Sequence, residues 1–139
     1  MREILFRGKR VDNGEWIQGD IVQFPVHGVV RIVEQEPSYK DAEVDSDTVG
    51  QYTGLTDKNG RKIFEGDIIH LEYSQVFFGG VYFGEYTAEV SYKEGCFITD
   101  GINNGDEIET PLSGFDNDEL EIIGNIHDNP ELLGGESDG

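Results

Sequence analysis

Cysteine is almost missing from this chain: of 139 residues only Cys96 carries a thiol. No internal disulfide can form, which fits a reducing compartment. No histidine lies within 25 residues of Cys96, so it reads as a small buried apolar strand residue rather than a nucleophile. Long hydrophobic runs are missing too. After Met1-Arg2-Glu3 only Ile4 to Phe6 are apolar before Arg7, whereas a secretory segment needs roughly 7–15 such residues. No stretch approaches the roughly 20 apolar residues that span a bilayer. The expectation is a soluble, cytoplasmic protein with no membrane partner. Helical periodicity is nearly absent as well. So are a Gly-rich phosphate loop, a nucleophile elbow and a dinucleotide fingerprint, and with them the common routes to a cofactor or a catalytic serine.

Positive charge is scarce and runs out at Lys93. The net charge is −19. Residues 1–33 carry five bases and four acids, residues 34–99 five bases and thirteen acids, and residues 100–139 twelve acids and no Lys or Arg. Such a field repels nucleic-acid phosphates, so direct nucleic-acid binding is not expected. It leaves a solvated acidic face, a protein partner with a basic surface, or mimicry of nucleic acid.

What is present is punctuation. The 19 glycines divide short runs rich in Val, Ile, Phe, Tyr and Thr, a pattern of strands and tight turns. Asp12-Asn13-Gly14-Glu15 predicts a type I′ hairpin with Asn13 and Gly14 central, bringing Val11 close to Trp16. Trp16 reads as a core anchor. Val29–Val33 predicts another strand, and Glu34–Asp47 an exposed loop or edge. Asp57-Lys58-Asn59-Gly60 repeats the Asn-Gly turn. After each Asn-Gly comes a Gly-Asp pair, Gly19-Asp20 and Gly66-Asp67, leading into aliphatic residues. Ala88–Tyr92 and Cys96–Thr99 predict a third hairpin about Glu94-Gly95. Asp100–Asp118 reads as largely loop and Leu120–Ile126 as a last strand. Asn129-Pro130-Glu131-Leu132-Leu133-Gly134 reads as one helical turn, and residues 134–139 as a disordered tail.

Candidate chemistry is thin. Asp20 and Asp67 could form a carboxylate pair for metal or acid–base work. The mechanical reading is stronger, with Gly supplying a positive φ and Asp bonding the backbone two residues on. His27, His70 and His127 lack metal-ligand partners at short spacing. Asp116-Asn117-Asp118 resembles the start of a calcium loop, but the sixth position holds Glu121 instead of Gly. No catalytic, cofactor-binding or metal residue is therefore expected. Glu72–Glu89 is the unusual stretch. Phe77, Phe78, Tyr82, Phe83 and Tyr86 form its candidate interaction surface, but no Lys or Arg lies between Lys62 and Lys93 to meet a phosphate backbone. Phe77 and Phe78 are adjacent, so in a strand they face opposite sides, as do Tyr82 and Phe83. Both faces would then be covered, by a core or by a second subunit.

Three blocks together resemble the YopX family of phage and prophage proteins. They are Phe6-Arg7-Gly8-Lys9 with Trp16-Ile17-Gln18-Gly19-Asp20; Thr48 to Gly60 (TVGQYTGLTDKNG), running on to Ile63-Phe64-Glu65-Gly66-Asp67-Ile68-Ile69; and Ile123 to Leu133 (IGNIHDNPELL). The resemblance implies an SH3-like β-barrel, a phage or prophage origin and hence a bacterial host cytoplasm. It brings no biochemical activity with it. The resulting expectation is a mainly β protein. Residues 1–49 form an N-terminal β unit, residues 50–133 an SH3-like barrel with a short C-terminal helical turn, and residues 134–139 the tail. Its expected role is a non-enzymatic accessory module that binds a protein partner and self-assembles as a homo-oligomer. The alternatives are an acidic decoy for a DNA-binding host protein, and a small hydrolase using Asp20, Asp67 and a histidine.

Overall fold

The computed structural model describes residues 4–24, 28–35, 37–103 and 106–133; the tail expected at 134–139 and His27 lie outside them. The chain divides into two compact units, Met1–Gly54 and Leu55–Gly139. Both are built from antiparallel strands. Among the described residues no helix is long and apolar enough to cross a membrane.

In the first unit β1 (Phe6–Lys9), β2 (Trp16–Phe24), β3 (Val29–Val33), β4 (Asp41–Val44) and β5 (Gly50–Thr56, running on past the unit's end) lie in the order β4-β3-β2-β1-β5. The alternation that makes a strand is plain in β4, where Asp41 and Glu43 are exposed while Ala42 and Val44 are buried. Those two join Ile17 and Ile32 in a small core backed by Phe6, Val30 and Val49. The first Asn-Gly loop departs from the predicted type I′ turn. Lys9, not Val11, stands opposite Trp16, and Val11 is exposed. Of the loop residues only Gly14 has a positive φ, 73°. The Arg10 carbonyl accepts the Gly14 N–H at 2.9 Å, and the Asn13 side chain accepts the Glu15 N–H at 2.9 Å. The amide of Asn13 thus does the work that a positive φ would have done. Trp16 is half-buried rather than a core anchor. The Arg7 guanidinium lies 4.7 Å and the Lys9 ammonium 5.7 Å from its ring centre, an arrangement of charge over a π face.

The second unit is the larger. Its strands are β6 (Lys62–Phe64), β7 (Asp67–Phe77), β8 (Gly80–Lys93), β9 (Cys96–Asn103), β10 (Asp106–Pro111) and β11 (Leu120–Asn125). Five of them form a sheet in the order β10-β9-β8-β7-β11. That order is open, and among the described residues the two antiparallel sheets close into no barrel, where the family resemblance implied an SH3-like one. Between the two edge strands the chain makes 3-10 turns at Leu112–Gly114 and Asn117–Glu119. Leu112, fully buried, helps to plug the core there. The core gathers Ile63, Ile69, Leu71, Tyr86, Ala88, Val90, Leu112, Leu120 and Ile122. Burying each large aliphatic side chain stabilises the fold by about 1.5–3 kcal/mol. The expected C-terminal helical turn is present as a 3-10 turn over Pro130–Leu133.

Two sequence expectations change here. Within Asp100–Asp118 much is strand, in β9 and β10, where Asp100, Asn103 and Asp106 sit on the ladder rather than in turns. Cys96 is exposed, not buried, since it directly follows the β8–β9 turn and pairs with Lys93. That turn, Glu94-Gly95, is the one with positive φ at both central residues, 52° and 86°, the type I′ signature. The second Asn-Gly loop instead has a positive φ at Gly60 only, 82°.

Asp57 explains that loop. It is 2 % exposed, and its Oδ1 accepts the N–H groups of Asn59 at 3.0 Å and Arg61 at 2.9 Å. Its Oδ2 accepts the N–H of Ile122 at 3.0 Å. One carboxylate therefore shapes the turn and ties it to β11, assisted by the Lys58 N–H donating to the Leu120 carbonyl at 2.9 Å. Burial pushes the Asp57 carboxyl up, but the bonds from Ile122, Arg61 and Asn59 and the charge of Arg61 outweigh it and hold it below the usual 3.8.

Candidate functional site

The proposed carboxylate pair falls one to each unit. Asp20 is exposed on β2 opposite Val33 and receives Gln35 Nε2 at 3.4 Å. Asp67 is 2 % exposed and its Oδ2 accepts the Phe64 N–H at 2.8 Å. Asp67 closes the turn before its own strand. Gly66 has φ 89°, as the mechanical reading requires. Gly19 does not have a positive φ; instead a Cβ there would lie 2.0 Å from the Val33 carbonyl oxygen. Its role is to let two backbones approach.

The aromatic segment forms the β7–β8 hairpin, with Phe77 opposite Gly80. Phe78 occupies the turn, not a strand, and is 104 % exposed. It therefore does not face the opposite side of a strand from Phe77, because the chain reverses at that point. Tyr86 is buried. The side chains of Phe77, Tyr82 and Phe83 lie outside what the structure describes.

Tyr86 belongs instead to a cleft of about 480 Å³ in the second unit. β7 supplies Tyr73 and β8 supplies Tyr86; their ring centres are 6.1 Å apart at 70°, edge to face. Tyr86 Oη lies 3.4 Å from Thr99 Oγ1. Because Thr99 itself donates to the Thr110 carbonyl at 3.1 Å, the tyrosine is the donor of that pair. Ile108 and Thr110 come from β10, and Phe115, Asp116 and Glu119 complete the wall. The turn carrying the two carboxylates is braced. Asp116 N–H donates to Glu119 Oε1 at 2.8 Å, Glu119 N–H returns a bond to the Asp116 carbonyl at 2.9 Å, and Asn117 Nδ2 donates to Thr56 Oγ1 at 2.7 Å. Aromatic walls with a few fixed polar groups are the usual build of a binding cleft. Reading residues 100–118 as loop hid Ile108 and Thr110. The alternation Ile108, Thr110 was the signal that could have found them.

The outward face of the same sheet is acidic. Register sets Glu72 opposite Glu85, Glu89 opposite Asp100, and Glu121 opposite His70. Lys93 neutralises Glu109 at 2.8 Å and Lys58 lies 3.4 Å from Glu121. Burial and then the Asp100 charge raise the Glu89 carboxyl above its usual 4.5. His70 Nε2 stands 3.7 Å from Glu85 Oε2 and 3.9 Å from Glu72 Oε2. One ligand atom from each of these three lies within 4.8 Å of the others, so among the described residues they are the set that could hold a metal ion. Both glutamates are well exposed, and exposed acidic groups commonly sit together without one.

Fold and cleft define a class first: a mainly β protein of two antiparallel units, with an acid-rimmed aromatic cleft in the second. The chain belongs to the YopX protein family, whose profile matches residues 5–134. It is similar in fold to the crystal structure of protein EF1440 from Enterococcus faecalis, at 24 % identity over 96 % of this chain and 100 % of that one, with a TM-score of 0.56. No curated protein matches it at a significant level.

Proposed function

We propose that the protein is a non-enzymatic interaction module that binds a protein partner at the cleft of its second unit. The cleft itself carries this reading: three aromatic rings and two carboxylates converge on about 480 Å³, held by a braced turn. Aromatic side chains that keep one polar end are the residues that carry binding energy at protein interfaces. Thr110→Arg tests it by filling the cleft from a strand position at its wall. The wild-type protein, tagged and captured from the cells that express it, should retain a partner that the variant loses, with thermal unfolding of the two alike. The same proteins recovered with both would sink the reading.

A second contact is favoured by one observation. Phe78 stands fully exposed at the β7–β8 turn, with Val81 also exposed, and a solvated ring at a hairpin tip suits a homo-oligomer contact. Light scattering on Phe78→Ser checks it: the native protein should be larger than a monomer and the variant smaller. A native monomer ends that part of the reading.

A further inference from the structure

We infer that the cleft takes a positively charged side chain, an arginine guanidinium from a protein partner; this rests on the reading of the cleft as a partner site. Three observations converge. The walls are π faces and edges, with Tyr73 and Tyr86 edge to face and Phe115 beside them. A cation over an aromatic face is attracted by the ring quadrupole, and more strongly where water is displaced. The rim is acidic, with Asp116 and Glu119 lining the cleft, and no Lys or Arg follows Lys93 in the chain. Among the described lining residues none is basic, so a cation entering the cleft meets only attractive groups.

The carboxylates differ in what they can offer. Glu119 Oε1 already accepts the Asp116 N–H, so Glu119 is part of the brace. The Asp116 side chain takes part in the same capping box, but Asp116 is the more exposed of the two, so its remaining carboxylate oxygen is the one left to meet an incoming guanidinium. Arginine suits this better than lysine. Its planar head stacks on rings and donates to a carboxylate at the same time, whereas an ammonium is a compact, strongly hydrated charge. A neutral apolar side chain would use the rings but leave the carboxylates desolvated, which costs binding.

The test uses capped five-residue peptides, Ala-Ala-Xaa-Ala-Ala, titrated into the isotopically labelled full chain and followed through backbone amides. Xaa is arginine, lysine, citrulline or leucine; citrulline keeps the shape of arginine without its charge. The arginine peptide should move the amides of Thr110 and Gly114–Asp116. The citrulline peptide should bind about tenfold more weakly, the size of a cation–π contact with a charge-assisted bond. Asp116→Asn should remove most of that arginine preference while leaving the citrulline peptide unchanged. Asn serves as well as Asp at the start of a turn, so the variant should fold. Arginine and citrulline binding equally, leucine binding best, or shifts confined to the outward face of the sheet would each overturn the inference. Leucine binding best would leave the partner-site reading standing, because the cleft would still be occupied. If no peptide moves the cleft amides the inference falls, and the Thr110→Arg capture experiment decides the site on its own.

Discussion

In the first unit Asp20 stands exposed on β2 with a single 3.4 Å contact from Gln35; in the second Asp67 is buried and closes a turn through the Phe64 N–H. The loops before them differ in the same way. Asn13 holds the first by one bond on the surface, while Asp57 holds the second from inside with three. The local pattern is repeated, Asn-Gly followed by Gly-Asp, yet the burial is not. Where a carboxylate is buried the fold has built N–H groups around it, since an unpartnered buried charge would be expensive. Where it is exposed, water does that work and the residue carries little of the fold. A repeated motif therefore fixes where the chain turns, and burial decides what each residue is worth.

The sharpest way to break the comparison is Asp57→Ala. It leaves three backbone N–H groups without their acceptor, two of them shaping the turn and one in β11. Losses of about 1–3 kcal/mol per unsatisfied buried donor are partly relieved by relaxation, so a fall in stability of about 4 kcal/mol is expected in denaturant unfolding. Asn13→Ala, its first-unit counterpart, should cost about 0.5 kcal/mol, because the Asn13 bond is exposed. Equal losses would show that the two loops are held alike. The pH dependence has a definite sign. Asp57 titrates below the usual 3.8 in the fold, so its contribution is intact above about that pH and is lost as pH falls through the lower, folded value. Asp57→Asn should flatten that acid limb. Glu89 runs the other way. Its carboxyl is raised by burial and by Asp100, so the fold disfavours its charged form. Its contribution is complete below the usual 4.5 and is lost as pH rises through the folded value. Glu89→Gln should therefore raise stability at neutral pH and leave it unchanged below pH 4.

The two glycines come next in size. Gly19→Ala places a methyl 2.0 Å from the Val33 carbonyl oxygen, which only a backbone shift between β2 and β3 can relieve. Overpacking of that kind costs about 2–3 kcal/mol. Gly66→Ala meets a φ of 89° and should cost about 1–2 kcal/mol, the strain of a left-handed alanine. D-alanine at position 66, introduced by chemical synthesis, checks the second cause: it favours a positive φ and should restore the stability that the L residue loses.

These cases show why the sequence was legible in some places and silent in others. Alternation and Gly spacing depend on neighbours in the chain, so the mainly β character, the Glu94-Gly95 hairpin and the last strand could be read directly. Turn type was misread at the first Asn-Gly loop, where Asn13 accepts the Glu15 N–H with its own amide and has no positive φ; at the second, the Asp57 carboxylate shapes the loop. Asp57 itself was invisible as a keystone: its third bond goes to Ile122, 65 residues away. The cleft was half legible. Tyr73 and Tyr86 stood out as aromatics, but their neighbours Ile108, Phe115 and Asp116 lay in a stretch whose Asn, Asp and Gly content imitates a loop. The barrel expectation came from family resemblance alone, and no local pattern encodes whether β10 and β11 meet.

The smallest expected effect is the most useful control. Asp20→Ala removes a carboxylate that is exposed and whose contact with Gln35 is at the long end of hydrogen bonding. Surface changes of this kind stay within about 0.5 kcal/mol. Denaturant midpoint and slope should both match the parent, and Asp67→Ala measured beside it should fall by about 2 kcal/mol for the Phe64 N–H it abandons in the core. If Asp20→Ala also cost 2 kcal/mol, the exposed carboxylate would have to be doing something in the fold that its 3.4 Å contact does not explain, and the distinction drawn between the two units would collapse at its weakest point. If neither substitution cost anything, the Gly-Asp pairs would not matter for stability, and a chemical role for the two aspartates would have to be sought again.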